Sequence, residues 1–389
     1  MFRVPALYIL LRTHQTLMRV SEMPAHRVPG GEEEVAARRR IDDLVPIAST
    51  VRDYRRSLLR PDLVAGVVLA TMLVPQGMAY AELTGLPVET GIYTTIAALV
   101  AYSVFGPNRR LILGPDSSLA PVIAAVILPL AAGDGEAAVV LASALSIIAG
   151  VVCVASGFLN VGVVTELLSK PIRIGYLNGI AALIFISQVP KALGFSVDAE
   201  STVDELAETV RGIADGQVEV AALAISAGSI LVIVLFGRIN PRIPGIVVAA
   251  VGSVVAVSAF DLVARGVQTV GSIPSGLPAL TVPDIGIDTI RSLLAGAIAV
   301  TLVSFADTGA LSTATSLKSG ERVDPNSEIK ALGAANLVSG LFQGFPTSAS
   351  SSRTAVAISV GSRTQVAGLI AAAGVVVIVL ALPGLIADM

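Results

Sequence analysis

Two short polar runs hold the residues whose types and spacing best suit chemistry in this chain. Gly114-Pro115-Asp116-Ser117-Ser118 leads into the apolar run Leu119–Leu130, and Pro346-Thr347-Ser348-Ala349-Ser350-Ser351-Ser352-Arg353 leads into Thr354–Val360. Each places turn formers and hydroxyls just ahead of a helical stretch, so each opens a helix. The first N–H groups of a helix lack intrahelical acceptors and carry a partial positive charge. That chemistry suits an anion. Arg353 adds a guanidinium, which at a bilayer centre costs about 2.5–3.5 kcal/mol on insertion scales and so requires a partner or a wet cavity. Two readings follow. Arg353 and its helix end attract an anion, or Arg353 forms a structural ion pair with Asp116 across the two runs. Asp116 itself either caps its helix, a placement worth about 0.3–1 kcal/mol, or takes up a proton or cation together with the anion. Ser117, Ser118, Ser351 and Ser352 offer hydroxyls to the caps or to the substrate.

A third acid, Asp307, lies in the mostly apolar stretch Gly296–Ala310, with no basic residue within a turn of it. A lone buried carboxyl is neutral or holds a cation. Asp307 therefore reads as a proton or sodium site, with Ser304, Thr308 and Ser312 as further oxygen ligands; a hydrogen-bonded residue between helices is the plainer reading. Pro75 removes a helical hydrogen bond, which lets Gln76 turn its amide towards a ligand; a kink that serves packing alone is the alternative. Glu82 reads as interfacial.

These side chains need a frame. The chain has 389 residues, of which 54% are hydrophobic and 14% charged, against about 25% charged in a soluble domain. Its apolar runs approach the roughly 20 residues that cross a bilayer, which defines an all-α polytopic membrane protein. The net charge of −3 gives no footing for nucleic acid. The lone Cys153 excludes an intrachain disulfide. Both histidines, His14 and His26, precede the first span, and no HExxH run occurs, so neither an intramembrane enzyme nor a cofactor is expected.

Eleven candidate spans follow a basic arm at residues 1–60, in which Met23 is an alternative start. They are Leu63–Leu83, Gly91–Phe105, Leu119–Leu130, Ala137–Leu159, Ile172–Val189, Val220–Phe236, Ile243–Phe260, Leu293–Thr315, Ile329–Phe342, Thr354–Val360 and Val366–Leu385. With the N-terminus in the cytosol, Arg109, Arg110, Lys170, Arg173, Arg238, Arg242, Lys318, Arg322, Lys330 and Arg363 fall inside, in line with the positive-inside rule. Lys191, Arg265 and Arg291 are exceptions. The acidic outside stretch Asp198–Glu219 reads as an amphipathic surface helix around Thr202–Ile213. An interrupted span stands third in the first half and third after the connection at residues 261–291. This spacing points to an inverted duplication whose second half is short.

At these residues the chain resembles the SulP family of anion permeases, which includes sulfate and chloride/bicarbonate exchangers and prestin. The matching runs are Arg60-Pro61-Asp62-Leu63-Val64-Ala65-Gly66, Val74-Pro75-Gln76-Gly77-Met78-Ala79-Tyr80-Ala81, Gly114-Pro115, Gly271 through Pro278, Glu328 through Asn336, Ser352-Arg353 and Thr364-Gln365. The resemblance implies an inverted seven-plus-seven-span fold whose interrupted third and tenth spans meet head to head at the midplane. It implies a core at residues 61–160 and 293–389, a gate at 161–262 and an extracellular connection at 263–292. Gln76, Ser352 and Arg353 fall where the family surrounds its anion, and Asp307 falls where prokaryotic members carry a coupling acid. Asp116 departs from the pattern, since many members have an apolar residue or threonine there. The family's last three spans and cytosolic STAS domain are not in the sequence, so a fragment, or a chain completed by a partner, is expected. The expected activity is secondary transport of an inorganic anion, sulfate first, coupled to protons or sodium in the plasma or inner membrane, with a homodimer left open. Bicarbonate or dicarboxylate transport, nucleobase transport, a passive channel and a non-transporting fragment are the rivals.

Overall fold

The computed structural model describes residues 45–161, 170–197, 202–239, 245–262, 267, 269, 276–321 and 323–381. The arm at 1–44 with Met23, the run Gly271–Ser275, Asp198, Arg242, Arg265, Arg322 and the last residues of the final span lie outside them. The described helices are α1 (Ile47–Arg52), α2 (Arg56–Leu83), α3 (Val88–Phe105), α4 (Ala120–Ala131), α5 (Gly135–Phe158), α6 (Lys170–Ala192), α7 (Thr202–Ala214), α8 (Val220–Ile239), α9 (Gly245–Phe260), α10 (Ile287–Ser319), α11 (Pro325–Leu341), α12 (Ser351–Ser359) and α13 (Val366–Ala381). The strands are β1 (Leu113–Gly114) and β2 (Ser348–Ala349). Every expected span has a helix, and α7 falls where the amphipathic helix was expected. By length and composition α2, α3, α5, α8 and α10 can each cross a membrane.

Helices α4 and α12 have 12 and 9 residues. At about 1.5 Å per residue each covers roughly half of a hydrocarbon layer about 30 Å thick. Extended chain supplies the other half of each crossing. That chain needs hydrogen-bond partners at membrane depth, and the two interrupted spans supply them to each other. β1 and β2 pair antiparallel, with Leu113 opposite Ala349 and Gly114 opposite Ser348. The Ser350 N–H donates to the Ile112 carbonyl at 3.2 Å, and the Ile112 N–H donates to Thr354 Oγ1 at 3.2 Å.

Helices α2, α3, α4 and α5 pack with α10, α11, α12 and α13, whereas α8 and α9 pack chiefly on each other. Small residues set the spacing in the first group. A Cβ on Gly91 would collide with the Gly77 carbonyl, so α2 and α3 touch backbone to backbone, and Gly150 and Gly333 do the same for α5 and α11. Close approach of this kind drives association where lipid removes the hydrophobic contrast. α2 runs as helix through Pro61 and Pro75. Its start is tied to the α12–α13 turn by buried Asp62. The Asp62 carboxylate accepts from the Arg363 and Thr364 N–H groups, from Thr364 Oγ1 at 2.6 Å and from the Tyr54 hydroxyl at 3.0 Å. Burial and the Asp62 charge push the Tyr54 phenol up to about 12.

Candidate anion site

The β1–β2 pair brings the starts of α4 and α12 together beside a cavity of about 370 Å³. Asp116, Ser117 and Ser118 line it from one side, Ser350, Ser351 and Ser352 from the other, and Asp307 and Tyr80 complete its polar wall. Ala310, Leu311 and Ala314 continue it along α10. The residues that open the two short helices, Leu119 and Ser350, make no side-chain cap hydrogen bond of their own. Ser350 Oγ instead lies 3.1 Å from Ser352 Oγ.

Arg353 stands behind this wall, 1% exposed, with Nη2 3.4 Å from the Gly114 carbonyl and 3.4 Å from Asp116 Oδ1. A tight charge-assisted bond is about 2.7–2.9 Å, so this ion pair is loose. Nε is buried without a hydrogen-bond partner. The guanidinium therefore keeps bonding capacity, and its head lies against Gly114 and Asp116 ahead of α4. Gly114 is required for the approach, since a Cβ there would lie 2.5 Å from Arg353 Nη1.

Asp116 closes the turn that leads into α4, its carbonyl accepting from the Leu119 and Ala120 N–H groups at 3.2 Å. Its Oδ2 accepts from the Ser118 N–H at 3.2 Å and from Ser118 Oγ at 2.8 Å. Ser118 Oγ also lies 2.6 Å from Asp307 Oδ2. A hydroxyl has one proton to donate, so this serine bridges the two acids.

Six of the expected residues thus share one cavity, and Arg353 backs it. Gln76 is not in the lining. It sits one helical turn from Tyr80, half-buried, with its Oε1 lacking a partner. The oxygens expected around Asp307 are divided. Ser304 is buried without a partner for its hydroxyl, and Thr308 Oγ1 accepts from the Ala349 N–H at 3.2 Å. Ser312 is engaged elsewhere, donating to Glu328 Oε2 at 2.7 Å and accepting from Asn108 at 3.1 Å. Among the described residues no group of three or more His, Cys, Asp or Glu side chains suits a metal ion. Tyr80 was noticed only within a family motif and given no role, although its i+4 spacing from Gln76 puts both on one helix face. Glu328 was noticed only within a motif; it is buried and accepts from the Tyr102 hydroxyl as well as from Ser312.

Discontinuous helices whose starts meet inside a helical membrane protein are the arrangement of the inverted-repeat membrane fold. The chain belongs to the sulfate permease family, whose model matches residues 59–389. It is 38% identical over 336 residues to a probable sulfate transporter of Mycobacterium tuberculosis, covering 86% of this chain and 60% of that one. It is 32% identical over 361 residues to human solute carrier family 26 member 6, covering 87% of this chain and 47% of that one. The chain thus spans about half to three fifths of the length of these relatives. Among solved structures, the solute carrier SLC26A9 superposes with a TM-score of 0.84 at 22% identity, covering 92% of this chain and 59% of that one. The transmembrane domain of the cyanobacterial bicarbonate transporter BicA superposes with a TM-score of 0.76 at 24% identity, covering 86% of each. These likenesses establish the fold.

Proposed function

We propose that this chain carries the anion-binding machinery of a secondary transporter for a small inorganic anion, with sulfate as the first substrate. The observation that carries the reading is the β1–β2 pairing, which brings two helix starts to one cavity with a buried arginine behind them. The mycobacterial relative is named a probable sulfate transporter. The anion sits between Ser117–Ser118 and Ser351–Ser352 and is held by first-turn N–H groups, serine hydroxyls and the field of Arg353. Gln76 turns its amide to the same ligand. Asp307, bridged through Ser118 to Asp116, takes up the coupling proton or sodium.

The division of labour follows the packing. Helices α2–α5 and α10–α13 form a core that moves against a gate of α6, α8 and α9, which gives alternating access. The cavity runs along α10 from Asp307 past Ala310 towards Ala314, which is the cytosolic direction when the N-terminus is inside. One neighbour, the murine member A9, was solved facing inward and superposes with a TM-score of 0.83. The basic residues of the loops support an N-terminus in the cytosol; the plasma or inner membrane is the proposed location, and a homodimer is compatible with this arrangement.

One observation favours bicarbonate as a second reading. Asp116 offsets the charge of Arg353, so an ionised Asp116 makes the pocket better suited to a monoanion than to a dianion. Uptake of radiolabelled sulfate into vesicles holding the purified chain, with bicarbonate as competitor and with proton and sodium gradients imposed separately, tests both readings. Sulfate accumulation driven by either gradient is expected. Uptake that ignores both gradients would make the chain a passive pathway.

A further inference from the structure

Helix α7 has three distinct faces. Thr209 and Gly212 face the protein, where Gly212 lies so close to the Phe195 ring that a Cβ would approach it to 2.8 Å. Asp204, Glu208 and Arg211 form a charged side. Val203, Leu206, Val210 and Ile213 form the third side and are 76%, 51%, 59% and 47% exposed. At roughly 100° per residue these four fall within about 80° of one another, on a side centred about 110° from the protein-facing residues and about 150° from the charged ones. A helix with protein on one flank, charge on the second and bare apolar side chains on the third fits the rim of a membrane protein at the lipid boundary.

The setting of α7 supports that occupant. The backbone fixes it to the ends of two spans. The Glu219 N–H donates to the Leu193 carbonyl at 2.9 Å, joining the start of α8 to the end of α6, and the Gln217 N–H donates to the Gly212 carbonyl at 2.9 Å. Only residues 215–219 separate α7 from α8. α8 buries none of its residues, and it begins with Val220, 73% exposed, followed by Leu223. The exposed stripe on α7 is thus followed, five residues on, by the exposed apolar surface of α8.

We propose that α7 is an interfacial anchor whose stripe of Val203, Leu206, Val210 and Ile213 is seated in the headgroup–acyl boundary, fixing the outer end of α6 and α8 to the bilayer. Its charged flank is largely acidic, so apolar burial drives the seating, and anionic lipid is not required. On the transport reading above, the anchor gives the gate a fixed frame against which the core moves; the lipid contact itself does not depend on that reading.

The chain contains no tryptophan, so a single introduced indole reports its own surroundings. Leu206→Trp, Val210→Trp and Asp204→Trp are compared in the full chain, reconstituted in phosphatidylcholine vesicles with and without brominated acyl chains. The first two are expected to emit at shorter wavelength and to be quenched at least about threefold more than the third, with no change when anionic lipid is added. Equal quenching at the three positions overturns the proposal. So does blue-shifted emission that bromolipid leaves untouched and that varies with the protein-to-lipid ratio, because a second copy of the chain then covers the stripe. Ile213→Trp serves in place of either stripe variant that melts early. For the anchoring role, Leu206→Asp with Val210→Asp should slow anion uptake severalfold with unchanged substrate affinity; an unchanged rate removes that role. A wild-type chain that moves no anion removes the transport reading while the quenching pattern still decides the lipid contact.

Discussion

The two interrupted spans share a plan and differ in charge. β1–α4 brings a carboxylate, Asp116, and β2–α12 brings a guanidinium, Arg353, each within a few residues of its helix start. Paired as strands, the two spans satisfy each other's backbone; paired as ions, at 3.4 Å, they only partly satisfy each other's charge. The backbone pairing is thus a fixed scaffold, while the ion pair is loose enough to yield to a ligand. On the proposed function, one half of the duplicated plan supplies the attraction for an anion, and the other supplies a built-in competitor for it.

Breaking the stronger side should have the largest effect. Arg353→Ala is expected to abolish anion binding by calorimetry. It also leaves Asp116 without its cation, and removing one partner of a buried pair costs about 3–5 kcal/mol, so the melting temperature should fall as well. Adding Asp116→Ala should recover part of that stability but none of the binding. Gly114→Ala comes next, because the new methyl displaces the guanidinium. Affinity should drop by about tenfold, equivalent to roughly 1.4 kcal/mol, with little change in helix content by circular dichroism.

Asp116→Asn sharpens the contrast in the other direction. It keeps the shape and removes the competing charge, so sulfate should bind severalfold tighter, with a larger gain than bicarbonate. Weaker sulfate binding would mean that Asp116 serves the ligand rather than opposing it. Asp307→Asn should leave binding within about threefold of wild type while removing the dependence of uptake on its driving ion, read as uptake with and without imposed proton and sodium gradients. The smallest effect is expected far from the pocket. Glu82 at the end of α2 pairs with Lys191 at the end of α6 at 2.7 Å, both substantially exposed. Exposed pairs contribute about 0.2–1 kcal/mol, so Glu82→Gln should barely move the melting temperature, and any change in uptake rate should vanish in high salt.

The interrupted spans were legible because Gly, Pro and serine clusters within apolar runs are costly at membrane depth unless they line something. The helix at Thr202–Ala214 was legible from its 3.6-residue pattern. The Arg353–Asp116 pair stood among the readings as the structural alternative and is present. What local pattern could not convey was long-range partnership. Ser118 meets Asp307 across 189 positions, and Tyr102 meets Glu328 across 226. Periodicity reports which face of a helix is apolar and is silent on which buried hydroxyl faces which acid. Ser312 shows the consequence. Its spacing after Asp307 suggested a shared ion, whereas packing turns it to Glu328. Lys191, an exception to the charge rule, has its partner in Glu82 on another helix.

The central claim is that one anion lies between the two opposed helix starts. Selenate, a heavier analogue of sulfate, allows a direct test by anomalous diffraction from the bound protein. The account predicts a single selenium peak between Ser117–Ser118 and Ser351–Ser352, lost in Arg353→Ala. A peak elsewhere, or none between those serines in a chain that binds selenate in solution, would contradict it.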